Sequence, residues 1–100
     1  MKFTILQLKN AEKSAYDRLC FDKALLTTPG FSILDYEAVL EYEKTDNIWL
    51  DDEQNLEEMM MTITFLRPEP FRKRFLGVSD IIILDNRMYY INTTDFTRII

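Results

Sequence analysis

Histidine is absent from this chain of 100 residues, and cysteine occurs once, as Cys20. The first absence removes the commonest general base and the commonest zinc ligand. Together they exclude a Ser-His or Cys-His nucleophile pair within one chain and leave no ligand set for zinc or an iron–sulfur cluster. A lone cysteine closes no internal disulfide, so nothing points to an oxidising compartment. Two glycines and three prolines are too few for a loop-rich scaffold. No apolar run reaches the roughly 18 residues of a membrane span. The opening "MKFTILQLKN" is too short and too alternating for a signal peptide. The expectation is a soluble cytoplasmic protein with no cofactor and no metal. Carboxylate or lysine chemistry stays open, but no motif stands behind it, so the chain is not expected to be an enzyme.

What is present is apolar and acidic. Hydrophobic residues make up 47% and aromatics 13%, which excludes disorder as the default. One hundred residues form one domain, spanning 1–100, that buries roughly two-thirds of its unfolded surface. The net charge of −5 is uneven. From Asp35 to Glu58, ten acidic residues stand against the single base Lys44, a net −9. From Arg67 to Arg74, four bases stand against Glu69, a net +3. Nucleic-acid binders usually carry the opposite overall balance. An acidic middle fits a basic partner or serves solubility.

Periodicity gives the elements. "KFTILQLK" reads as a strand carrying Phe3, Ile5, Leu6 and Leu8. The stretch Asn10–Phe31 reads as loop with a short helix near Asp22–Leu26, stopped by Pro29-Gly30. "DYEAVLEYE" alternates cleanly. Tyr36, Ala38, Leu40 and Tyr42 are predicted on a core face, and Asp35, Glu37, Val39, Glu41 and Glu43 on a wet, negative one. After a turn at "TDN", "DDEQ" offers Asp51 or Asp52 as helix cap, with acids suited to the first turn. Leu56, Met59 or Met60, and Ile63 then repeat at helical spacing. Thr62 and Thr64 are expected to weaken the helix end, and Pro68 and Pro70 forbid its continuation. "DIIIL" is a short apolar run of branched residues, expected as a central strand covered on both faces. Asn86 is the expected positive-φ residue of a tight turn into "MYYIN", and "FTRII" adds a short terminal strand. The fold class that follows is α+β, an antiparallel sheet of four or five strands with one or two helices on one face.

Four pieces, in order, resemble the YodL-like domain family of conjugative and other mobile elements: "ILQLK", "DYEAVLEYE", "LEEMMMTITFLRPEPF" and "FLGVSDIIIL…MYYINTTDF". The last is similar to the family's Leu-Ser-Val-Ser-Asp signature, hydrophobic strand, Tyr-Tyr strand and closing Phe. The chain departs from that pattern where Lys73-Arg74 replace the family's Gly-His or similar pair and where Phe75 and Gly77 replace serines. The resemblance implies a mobile-element setting in a bacterial host and carries over no catalytic residue. Small proteins of such elements serve transfer and maintenance, or neutralise host defence, including as inhibitors of CRISPR effector nucleases.

The candidate partner-binding residues are weighed against plainer roles. Alternate strand residues lie about 6.7 Å apart. Asp35, Glu37, Glu41 and Glu43 are therefore predicted to form a nearly regular negative line able to imitate a nucleic-acid backbone to a basic groove. The plainer role is a solvated face that guards an edge. Asp51, Asp52, Glu53 and Glu57 thicken the negative region. Arg72, Lys73 and Arg74 could touch a phosphate backbone or an acidic partner, or simply be solvated. Ser79-Asp80 could contact a ligand, but phosphate cradles want several glycines and a following helix, so a turn that fixes strand entry is the favoured role. Met59-Met60-Met61 cannot all be buried on one helix face, so at least one is expected exposed. Cys20 reads as a buried inert thiol, and Trp49-Leu50 as an anchor ahead of the helix. Two functions follow. One is a non-enzymatic inhibitor that grips a host nucleic-acid enzyme through its acidic surface. The other is an accessory interaction module, weakly self-associating through Arg72–Arg74 and the acidic face. Neither reading involves a membrane or direct nucleic-acid binding.

Overall fold

The computed structural model describes residues 2–9, 33–43, 51–66 and 76–99. They form five strands, β1 (Lys2–Leu8), β2 (Tyr36–Glu43), β3 (Ile81–Leu84), β4 (Arg87–Ile91) and β5 (Phe96–Arg98). One helix, α1 (Asp52–Leu66), and a 3-10 turn, Ile33–Asp35, complete the described elements. The sheet order is β2-β1-β3-β4-β5, and every neighbouring pair is antiparallel. This is the expected α+β class. β2 and β3 both run antiparallel to β1, so they are parallel to each other, and α1 lies between them in sequence as the crossover of a split βαβ unit.

Side-chain alternation divides the core between the two faces of the sheet. On one face, Phe3, Ile5, Ile82, Leu84 and Ile91 pack against Leu56, Met59 and Ile63 of α1. On the other, Leu6, Leu8, Tyr36, Ile81 and Tyr90 form a second cluster, flanked by Ile83 and Met88. The central strands β1 and β3 contribute to both. Ile81, Ile82 and Leu84 are fully buried, as expected for a continuous apolar run in mid-sheet. Each such side chain contributes roughly 1.5–3 kcal/mol through burial.

The helix follows its sequence pattern closely. Asp51 is the cap. Its Oδ1 accepts the Gln54 amide at 2.8 Å, and Gln54 Oε1 accepts the Asp51 amide at 3.0 Å, a reciprocal capping box. Leu56, Met59 and Ile63 are buried, whereas Met61 is 61% exposed. The helix runs through Thr62 and Thr64 to Leu66. Thr62 directs its hydroxyl to the Glu58 carbonyl at 2.9 Å, one turn back along the same helix, a back-bond that slightly weakens the helix there.

Two local expectations are corrected. The left-handed residue in the β3–β4 turn is Asp85 (φ 56°), not Asn86. The reason is its partner: Asp85 Oδ1 accepts the Lys2 amide at 3.0 Å, and the Asp85 amide donates to the Lys2 carbonyl at 2.8 Å. This ties the turn to the start of β1, and aspartate tolerates the left-handed region better than most residues. The second correction is in β2, where Ile5 pairs with Leu40 but Leu6 pairs with Ala38. Val39 is the extra residue of a β-bulge, and it turns into the helix-side core. The expected helix near Asp22–Leu26, the turn at "TDN", Cys20 and Trp49-Leu50 lie outside the described residues.

Candidate functional site

The bulge decides how the acidic strand is displayed. Before it, Tyr36 and Ala38 share a face, and Glu37, opposite Gln7, lies half-buried on the other. After it the parity reverses. Leu40 and Tyr42 oppose Ile5 and Phe3 on the helix side, while Glu41 and Glu43 oppose Thr4 and Lys2 on the far side. Asp35 belongs to the 3-10 turn, and its carbonyl accepts the Lys9 amide at 2.9 Å. The predicted regular line of Asp35, Glu37, Glu41 and Glu43 is therefore broken, because one extra residue flips every side chain beyond it. Glu41 and Glu43 remain exposed together on β2, which is an edge of the sheet among the described strands. Lys2 Nζ lies 3.5 Å from Glu41 Oε1, an exposed pair worth about 0–1 kcal/mol.

The second acidic group lies at the start of α1. Asp52 is not a free surface charge. Arg87 of β4 reaches it with two bonds, Nε to Oδ2 at 2.6 Å and Nη2 to Oδ1 at 2.9 Å, and the Tyr89 hydroxyl donates to the same Oδ2. The Arg87 hydrogen bonds hold the Asp52 carboxyl below its ordinary value against the opposing effect of burial, with Tyr89 and the charges of Arg87 and Arg98 adding to the shift. The same carboxylate raises Arg87, while burial and then the Asp52 bond raise Tyr89. Arg87 and Tyr89 stand two apart on a strand and so share a face. That juxtaposition is readable in the sequence, but their meeting with Asp52 is not.

Beside this triad is an open cleft of about 550 Å³, lined by Asp51, Asp52, Glu53, Leu56, Tyr89, Asp95 and Phe96. Leu56 is fully buried at its base, and Tyr89 and Phe96 pack against the helix-side core. Asp51, Glu53 and Asp95 are exposed. Asp95 Oδ1 accepts Asn92 Nδ2 at 2.8 Å, which holds that carboxylate on the β4–β5 loop. Neither Asp95 nor Phe96 stands among the candidate binding residues of the sequence, since nothing local relates them to residues 51–56. Further along α1, Glu57 follows Glu53 by four residues and Met61 follows Glu57 by four, so the three exposed side chains share one helix face.

The Ser79-Asp80 loop has the geometry of a strand-entry turn. Both residues are fully buried. Asp80 Oδ2 accepts the Gly77 amide at 2.9 Å and Gln7 Nε2 at 3.2 Å, and the Asp80 amide closes back to the Gly77 carbonyl at 3.0 Å. Ser79 takes a left-handed conformation (φ 78°), with its carbonyl accepting the Tyr36 hydroxyl at 2.5 Å and its amide donating to Ile91. The loop thus binds β1, β2, β3 and β4 together.

Arg72, Lys73 and Arg74 lie outside the described residues. Among the described residues, no three His, Cys, Asp or Glu side chains are grouped to hold a metal ion, and no helix is long and apolar enough to cross a membrane. Comparison with protein-family models, curated proteins and solved structures finds no match to the chain.

Proposed function

We propose that this chain acts by binding a protein partner with a basic surface, and that it carries no catalytic chemistry of its own. The observation that carries this reading is the exposed Glu53–Glu57–Met61 stripe on α1, together with Glu41 and Glu43 on the β2 edge. Like charges at i and i+4 destabilise a helix by about 0.2–0.5 kcal/mol. Among the described residues Glu53 and Glu57 keep that cost with no cation paired to them, whereas Asp52 has Arg87. A basic partner would remove the repulsion, and Met61 would supply an adaptable apolar contact.

In its sharpest form the partner is a host nucleic-acid enzyme with a basic groove, such as a CRISPR effector nuclease, and the carboxylates stand in for phosphates. The mobile-element setting and the bacterial cytoplasm belong to the same proposal, through the resemblance to YodL-like domains. The alternative is an accessory module of a conjugative element with no inhibitory role.

The test is capture of partners by the tagged protein from lysate of a nuclease-bearing host, at low and high salt, followed by a cleavage assay with the captured enzyme. A nucleic-acid enzyme held at low salt, released at high salt and inhibited in cleavage is the expected result. Charge reversal at Glu53 and Glu57, or at Glu41 and Glu43, is expected to abolish inhibition. Undiminished inhibition by both double variants would overturn the acidic-surface reading. Recovery of transfer-machinery proteins alone would favour the accessory module.

A further inference from the structure

The cleft between α1 and the β4–β5 end of the sheet combines an apolar, aromatic floor with a carboxylate rim. The floor is Leu56, Tyr89 and Phe96, and the rim is Asp51, Glu53 and Asp95. The fourth carboxylate, Asp52, already holds a cation in Arg87. None of the three rim carboxylates makes an ion pair among the described residues. Three like charges around one depression repel, and a bound cation would relieve that repulsion.

The shape of the site selects among cations. A bare metal ion wants converging oxygens, which the described residues do not provide. An apolar floor beneath a charged rim suits a cation with an apolar body. A lysine offers a strongly hydrated point charge. An arginine offers a planar, weakly hydrated guanidinium that stacks on aromatic faces and pairs with carboxylates through two parallel bonds. The molecule already displays this chemistry next door, where Arg87 makes its two-bond contact with Asp52 beside the Tyr89 hydroxyl. Two features oppose a cation: the partial positive charge of roughly +0.5 at the helix start, and Arg98, whose charge is felt at Asp52 and Tyr89. Asp51 caps the helix start and answers the first, and the charges of Glu53 and Asp95 together exceed that of Arg98.

We infer that this cleft receives an arginine side chain of the partner protein, with the guanidinium over Phe96 and Tyr89 and its donors on Glu53 and Asp95. The inference rests on the reading that the partner is basic, and it names the contact that would anchor it.

Titration of the ¹⁵N-labelled protein with hexa-arginine and with hexa-lysine peptides tests it. Amide shifts for hexa-arginine are expected at Asp51, Glu53, Asp95 and Phe96, with binding several-fold tighter than for hexa-lysine. The double variant E53Q/D95N is expected to weaken hexa-arginine about tenfold, and Phe96→Leu to erase the preference over hexa-lysine. Shifts confined to β2, equal binding of both peptides, or indifference to E53Q/D95N would each overturn the inference. The failures remain separable. Partner capture that survives E53Q/D95N keeps the proposed function and removes the cleft from it. Arginine binding at the cleft without capture of a basic protein keeps the cleft and removes the function.

Discussion

Arg87 shows how a single residue changes the meaning of its neighbours. By composition Asp51, Asp52 and Glu53 are three equivalent acids. In the fold Asp51 caps a helix, Asp52 is neutralised and Glu53 faces solvent. Replacing Arg87 with Met would leave Asp52 and the Tyr89 hydroxyl without their cation, and the expected loss is about 1–3 kcal/mol at neutral pH. The sign of its pH dependence follows from the depressed Asp52 carboxyl. The stabilisation is fully present above the ordinary carboxylate value of 3.8 and is lost as pH falls through the lower folded value. Urea unfolding of both proteins from pH 7 down to pH 3 is therefore expected to show the difference shrinking at the acid end. A constant difference would mean that Arg87 acts through packing alone.

At the scale of elements, the helix was the most legible part of the chain and β2 the least. Asp51 and Gln54 three positions later announce a helix start, and Leu56, Met59 and Ile63 announce its buried stripe. Local bonding decides both, and local bonding is written in spacing. Asp51→Ala is expected to cost about 1 kcal/mol in thermal or urea unfolding, and Asp51→Ser only a few tenths, because serine keeps the acceptor. β2 alternates more cleanly in sequence than any other strand, yet the alternation misplaces half of it. The bulge at Val39 answers to the pairing with β1, where Leu40 opposite Ile5 and Ala38 opposite Leu6 leave Val39 as the extra residue, turned into the helix-side core. Nothing within "DYEAVLEYE" records that demand. The turn after β3 is a smaller instance. Asp85 rather than Asn86 is left-handed because Lys2, 83 residues away, supplies the bonds.

For the whole molecule, the two clusters on opposite faces of β1 and β3 make the sheet centre the part most sensitive to mutation. Ile82→Ala, on the helix side, is expected to cost about 2–5 kcal/mol. Met61→Ala, on the exposed stripe, is expected to stay within about 0.5 kcal/mol while weakening partner capture. Stability measured by urea unfolding, set beside capture, separates the two roles. The sequence by itself determined the α+β class, the strand in "DIIIL", the helix with its cap and buried stripe, and the excess of negative charge. These rest on period, propensity and composition, which act within a few residues. Only the tertiary structure decided which carboxylates are neutralised, which face Glu41 and Glu43 occupy, and that Asp95 and Phe96 join the start of α1 in one cleft. Those outcomes depend on strand order and register, through which residues tens of positions apart become neighbours.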